Sequence, residues 1–417
     1  MKTWLILAGG RGSRSENPQT PKILQSVGPV LILDFLLHSL SRGQSKARCV
    51  FVLHHGGGQV REAVLSRIPQ FHNLEAVFVF DDGDGPVGAI RSAAQGLTDT
   101  DFGIVLGDTF IAADLGGFFE RFRSSQRDIG VVCRQSDHLY DSDAISIDYL
   151  GNVTRFFEKG SAVQIDAGQV WGLSGVLFAR SSVIANLNPD LPDVANALIQ
   201  ASGNLEQIFT AKTRMPFRDS GTSERIQSIR DFVKDRTPAE VSLEIPKRAV
   251  FLDRDGTLIP DFENGRAHLL PQEVNLNLAE IIREANMFGL PVFLITNQPA
   301  VSKGQIAFED VYRVNNLLQK HLMSIGARID DVVFCPHHPE RGHLGEIPSL
   351  KISCLCRKPQ TGMVAHLAKI HGITDFEASV LVGDSDRDAL TAESVGMKFF
   401  DVGNANLSAD LRAWIGL

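Results

Sequence analysis

The chain has 417 residues, 43% of them hydrophobic and 22% charged, and at roughly 150 residues per domain this predicts two or three folded domains and excludes a single small module, a disordered tail or a fibrous protein. Its 41 basic and 49 acidic side chains leave a net charge of −8, which excludes a general attraction to nucleic acid or anionic membrane and confines phosphate chemistry to local sites. No apolar run approaches the ~20 residues of a membrane helix, and the apolar start meets Gly9-Gly10-Arg11 too soon for a secretory signal, so the expectation is a cytoplasmic protein with neither membrane nor nucleic-acid partner.

In chain order, apolar runs at 3–8, 49–53, 76–80 and 102–106 read as strands, and amphipathic stretches at 31–41 and 60–68 as helices. The alternation restarts with strands at 249–252, 292–295, 332–334 and 380–382 and helices at 278–288, 311–325 and 363–371. Such βαβ alternation predicts parallel sheets covered by helices. The charged, proline-bearing stretch 234–247 reads as a linker, giving domains at 1–233 and 248–417.

In the first half, Leu5-Ile6-Leu7-Ala8-Gly9-Gly10-Arg11-Gly12-Ser13-Arg14 is a strand running into a glycine-rich loop, with Pro21-Lys22 shortly after. Gly9 and Gly10 let backbone N–H groups approach phosphates, and Arg14 and Lys22 neutralise them. Asp108 follows the strand at 102–106, and Asp219 ends another strand-like run. Two separated carboxylates suit a Mg2+ that bridges phosphates. Lys159, after 153–157, is a candidate for a sugar phosphate.

In the second half, Asp253 and Asp255 stand two residues apart at the end of a strand, before Gly256. That arrangement holds Mg2+ and leaves a carboxylate free to attack. An isolated Asp-x-Asp would read as a simple turn, but Thr296-Asn297, Arg357-Lys358 and Asp384 follow in order, each at or beyond the end of a strand, where ligands of open α/β sheets bind. Asp388 reads as orienting Lys358 or a metal-bound water, or equally well as a helix cap.

Of the five cysteines, Cys335, Cys354 and Cys356 cluster. With one imidazole they form a Cys3His set suited to structural zinc, with His337 preferred over His338 and His343. Such a site would fix the loop that presents Lys358.

From residue 248 to about 404 these motifs resemble the haloacid dehalogenase (HAD) superfamily of phosphohydrolases. The resemblance implies Asp253 as nucleophile, Asp255 as general acid and base, and Thr296 and Lys358 on the phosphoryl oxygens. It places Mg2+ on Asp253, the Asp255 carbonyl and Asp384, and Asn297 and Arg357 beside substrate. Cys335-Pro336-His337-His338-Pro339 and Cys354-Leu355-Cys356-Arg357-Lys358-Pro359 resemble the D-glycero-D-manno-heptose 1,7-bisphosphate 7-phosphatases. Residues 1 to about 233 resemble the sugar-1-phosphate nucleotidyltransferases through Leu7-Ala8-Gly9-Gly10, Pro21-Lys22, Gly85-Pro86-Val87-Gly88-Ala89, Leu106-Gly107-Asp108 and Phe157-Glu158-Lys159, and are most similar to heptose 1-phosphate guanylyltransferases.

That second resemblance implies a Rossmann-like GT-A type domain in which Gly9, Gly10, Arg14, Lys22 and Gly88 bind the nucleotide, GTP by preference. Lys159 then binds the sugar phosphate, and Asp108 and Asp219 hold Mg2+. The expected fold is α/β with two domains, this one and a HAD-like Rossmannoid phosphatase with a zinc loop. The expected function is bifunctional: a heptose 1,7-bisphosphate loses its C7 phosphate and the resulting 1-phosphate receives a nucleotidyl group. The alternatives are a histidinol-phosphate-type phosphatase with an unrelated partner domain, and an N-terminal half that only binds ligand and regulates.

Overall fold

The computed structural model describes all residues except 10–18, 43–44, 82, 84, 136–141, 215–216, 221, 235–236, 239–246 and 262–272, together with the side chains of 217–219. The chain forms two compact units, Met1–Cys133 with Leu173–Glu244, and Arg134–Gly172 with Ile245–Leu417. Most of the expected linker at 234–247 lies outside the described residues.

In the first unit, β1 (Lys2–Leu7), β2 (Ala47–Leu53), β3 (Leu74–Phe80) and β4 (Asp101–Leu106) form a parallel sheet in the order β4-β1-β2-β3. β1, β2 and β4 are apolar on both faces because helices cover both, including α1 (Ile32–Ser41), α2 (Gly57–Arg67), α3 (Gly85–Ala94) and α4 (Leu115–Ser125). Trp4 packs against Phe119 and Phe178 at centroid distances of 5.4 and 5.8 Å. A Cβ on Gly103 would lie 2.3 Å from the Trp4 ring, so only glycine fits beside that indole.

Beyond the parallel strands lie β5 (Thr109–Ile111) and β6 (Ile129–Arg134), then β7 (Ala144–Ile147), β8 (Val153–Phe157) and the long β9 (Gln169–Arg180). They are followed by α5 (Val194–Ser202), β10 (Ile208–Lys212), β11 (Phe217–Asp219) and α6 (Ser223–Val233). β11 pairs with β5 so that Asp219 is opposite Thr109. Residues Val176–Arg180 of β9 run antiparallel to β4.

The second unit holds a five-stranded parallel sheet of β12 (Val250–Leu252), β13 (Val292–Asn297), β14 (Asp331–Cys335), β15 (Val380–Gly383) and β16 (Lys398–Asp401), in the order β14-β13-β12-β15-β16. With β12 central, the chain winds first to one side and then to the other, so the C-terminal ends of β12, β13 and β15 border the switch point where ligands bind. α7 (Leu276–Met287), α8 (Phe308–Ser324) and α11 (Leu407–Ile415) share one core, and α9 (Gly362–His371) and α10 (Asp386–Val395) pack into the other. In the same unit, β7, β8 and the start of β9 form an antiparallel meander that packs on α8. Among the described residues no helix is long and apolar enough to cross a membrane.

Candidate functional site

The end of β12 places Asp253 at the floor of a cavity of about 420 Å3. Asp253 is 7% exposed, and Lys358 Nζ lies 2.6 Å from its Oδ1, 2.5 Å from Asp388 Oδ1 and 3.1 Å from the Ile295 carbonyl. One ammonium thus faces two carboxylates, leaving a buried negative charge to be met by something else. Burial pushes the Asp253 carboxyl up to about 7, with Lys358 pulling it down and Asp388 pushing it up.

Asp388 caps a helix and holds Lys358 at the same time. Its Oδ2 accepts from Ser385 Oγ at 2.6 Å and Ser385 N at 3.3 Å, capping α10, while Oδ1 holds Lys358. Oxygens of Asp253, Asp384 and Asp388 lie within 4.8 Å of one another. Gly256, with φ +80°, keeps the Asp384 carboxylate close: a Cβ there would be 2.1 Å from its Oδ2. A hard divalent cation suits these oxygens and the charge left over by Lys358.

Asp255 points to different partners. Arg254 forks onto both of its oxygens at 3.0 Å, Thr296 Oγ1 donates to Oδ2 at 3.2 Å, and Gln298 Nε2 lies 2.5 Å from the same oxygen. Arg254 is anchored in turn by Asn315 Oδ1 at 2.8 Å. Asn297 lines the cavity. Its side chain exchanges hydrogen bonds with the backbone of Lys358, 3.1 Å to the carbonyl and 3.0 Å from the N–H, and so fixes the lysine loop on the end of β13. Arg254 and Gln298 stand next to Asp253 and Asn297 in the chain, and the sequence pattern alone gives neither a role.

Cys335, His337, Cys354 and Cys356 converge. The sulfurs are 3.2, 3.3 and 3.5 Å apart, and His337 Nδ1 is 3.3 Å from Cys356 and 3.6 Å from Cys335. Tetrahedral bonds of ~2.0–2.3 Å give edges of about 3.5–3.8 Å, so the set is close to the size of a zinc cage. Hydrogen bonds, the Cys335 thiol's first, pull the Cys356 thiol down to about 5. Arg357 donates to the His337 carbonyl at 3.3 Å, binding this cluster to the cavity wall.

In the first unit a cavity of about 400 Å3 is lined by Gly9, Lys22, Gly107 and Asp108 and by Gly85 and Pro86 at the start of α3. Lys22 Nζ is 2.9 Å from Asp108 Oδ2. The close approach of β1 and β4 needs Gly107, where a Cβ would be 2.3 Å from the Leu7 carbonyl. Ser220 ties the end of β11 to this loop by donating N–H and hydroxyl to the Asp108 carbonyl at 2.9 and 2.8 Å. Gly88 is buried on α3, and Ala89 of the same helix lines the cavity. His54, Asp81 and Asp193 also line it and were not singled out from sequence. Gly10, Arg14 and the Asp219 side chain lie outside the described residues, and Lys159 belongs to the second unit, its N–H donating to Asp143 Oδ1 at 2.8 Å.

Residues 4–204 match the family described as MobA-like NTP transferase domain, and residues 355–413 match the HAD-hydrolase-like family. The chain is 38% identical over 160 residues to a D-glycero-beta-D-manno-heptose-1,7-bisphosphate 7-phosphatase of Rhodopseudomonas palustris, covering 37% of this chain and 83% of that protein. It is 34% identical over 152 residues to a D-glycero-alpha-D-manno-heptose-1,7-bisphosphate 7-phosphatase of Burkholderia mallei, covering 36% and 76%. HddC from Yersinia pseudotuberculosis is alike over 56% of this chain and 100% of its own at 21% identity and a TM-score of 0.45, too slight a likeness to argue from. With a nucleotidyltransferase domain ahead of a HAD phosphatase domain, the chain belongs to the heptose-1,7-bisphosphate 7-phosphatase family.

Proposed function

We propose that this enzyme performs two consecutive steps in making a nucleotide-activated heptose in the cytoplasm. The phosphatase removes the C7 phosphate of D-glycero-D-manno-heptose 1,7-bisphosphate, and the transferase joins GMP from GTP to the resulting 1-phosphate. The observation that carries the reading is the Asp253–Lys358–Asp388 cluster with Asp384 beside it, in a chain of this family. The heptose names of the relatives favour this substrate over histidinol phosphate.

In the phosphatase, Asp253 attacks phosphorus and becomes an aspartyl-phosphate as the sugar oxygen leaves with a proton from Asp255. Asp255 then takes a proton from water, the water oxygen attacks phosphorus, and inorganic phosphate departs as Asp253 is freed. To do this Asp255 must loosen the Arg254 fork that now holds it. Thr296 and Lys358 stabilise the phosphoryl oxygens. Asp253, the Asp255 carbonyl and Asp384 would hold Mg2+, which would supply positive charge against the phosphoryl group.

Lys303, Arg357 and Arg387 line the same cavity, and among the described residues none of them has a carboxylate at ion-pair distance. These cations meet the phosphate at C1. Lys303→Met or Arg387→Met is expected to raise KM for the bisphosphate about fivefold, on the order of 1 kcal/mol, with heptose 7-phosphate turnover unchanged. Equal losses on both substrates in steady-state phosphate release would contradict this.

In the transferase, an oxygen of the sugar 1-phosphate held by Lys159 attacks the α-phosphorus, and pyrophosphate leaves. Gly9, Gly10, Arg14 and Lys22 hold the triphosphate, Gly88 lies near the base, and Asp108 and Asp219 hold Mg2+. Zinc on Cys335, His337, Cys354 and Cys356 stiffens the loop before Lys358. Metal analysis of the purified chain is expected to find about one zinc, which Cys354→Ser removes along with several kcal/mol of stability. A zinc-free, equally stable wild type would end that assignment. The reading as a whole is tested by following phosphate and pyrophosphate release from heptose 1,7-bisphosphate and GTP.

A further inference from the structure

α8 serves two neighbours. Asp310, Val311 and Val314 line the phosphatase cavity, whereas Tyr312, Asn316 and Gln319 are buried at 6%, 7% and 5% exposure and reach the 134–172 segment. Asn316 Nδ2 donates to the carbonyls of Ile165 and Gly168, both at 2.8 Å, and its Oδ1 accepts from the Val170 N–H at 3.1 Å. Tyr312 Oη accepts from the Tyr149 N–H at 2.9 Å. The Tyr149 ring stacks on Phe308 at 4.5 Å and 10°, and Gln319 Nε2 lies 3.2 Å from Gln135 Oε1.

These contacts have a common target. Tyr149 sits in the turn before β8, and Ile165, Gly168 and Val170 sit where the loop after β8 enters β9. That loop, 158–168, begins with Glu158-Lys159 and has no helix or strand of its own. Gly168, with φ +148°, is so close to β7 that a Cβ would be 2.7 Å from the Ile147 carbonyl. One buried amide therefore satisfies three backbone groups at the loop's far end, while Asp143 holds the Lys159 N–H at its near end. The segment lies within the residues that match the NTP transferase family, yet the helix that fixes it lies outside that match.

We propose that Tyr312 and Asn316 are positioning residues for nucleotidyl transfer, fixing the loop that presents Lys159 to the acceptor sugar phosphate. The proposal rests on the assignment of Lys159 above. Preordering a loop lowers the entropy lost on binding, so the effect falls on acceptor affinity. It also makes the transferase depend on a phosphatase helix, which gives the two activities a reason to share one chain.

The test measures both activities in the full-length enzyme for wild type, Lys159→Ala, Asn316→Leu and Tyr312→Phe. Asn316→Leu leaves three backbone groups unpaired and is expected to raise KM for heptose 1-phosphate about tenfold, the scale of a buried unmet hydrogen bond. Tyr312→Phe, which removes one oxygen, is expected to give a smaller rise with an unchanged melting temperature. KM for GTP and the phosphatase kcat/KM stay within about twofold in both. Equal rises in both transferase KM values, or no rise in either variant while Lys159→Ala raises the acceptor KM, overturn the positioning role. No effect of Lys159→Ala on acceptor KM overturns the assignment of Lys159 and the positioning role with it.

Discussion

Asp253→Asn is expected to lower phosphate release from heptose 1,7-bisphosphate by at least ~10^4-fold, the scale on which losing a covalent nucleophile acts. The amide keeps the shape of the carboxylate, and it removes one of the two acceptors of the Lys358 ammonium without emptying the cavity. It also removes the charge whose burial pushes the Asp253 carboxyl up to about 7, with Asp388 adding to the push, so the fold is expected to be at least as stable as wild type in a thermal melt. Pyrophosphate release from preformed heptose 1-phosphate and GTP stays near the wild-type rate. Substantial residual phosphatase activity would remove the aspartyl-phosphate from the account.

Asp108→Asn is the mirror experiment. The side chain sits 2.9 Å from Lys22 at the cavity of the first unit, and its backbone carbonyl already serves Ser220, so the substitution changes charge and leaves the loop's main-chain bonds in place. Nucleotidyl transfer is expected to fall by about 10^2–10^4-fold, since electrostatic stabilisation of the transferring phosphoryl group is the main source of rate there. Phosphate release stays intact. An Asp108→Asn enzyme that still makes nucleotide sugar would favour a first unit whose carboxylate plays no part in chemistry.

Much of this site is legible in sequence because its parts are local. Asp253-x-Asp255-Gly256 is a strand end followed by a turn that only glycine fits, and Cys354-x-Cys356-Arg357-Lys358 puts two members of the cysteine cluster and Lys358 within five consecutive residues. Strands such as β12 and β15 announce themselves as short apolar runs because helices cover both faces. The arrangement of residues 134–172 is a different matter. Its partners on α8 lie about 150 residues further along, and an asparagine that bonds three backbone groups has the same letter as an asparagine on a wet surface. Arg254 and Gln298 escaped for a related reason: each acts by holding Asp255, and spacing along the chain reports which residues end a strand but not which side chains turn toward one another.

The proposed function requires the two sites to act on one sugar in succession. The most direct measurement is a mass-spectrometric time course of the wild-type chain with heptose 1,7-bisphosphate as either anomer, Mg2+ and each of the four nucleoside triphosphates in turn. Phosphate is expected first, then pyrophosphate and a nucleoside diphosphate heptose, with GTP the preferred donor. Phosphate release with no nucleotide sugar from any triphosphate would contradict it.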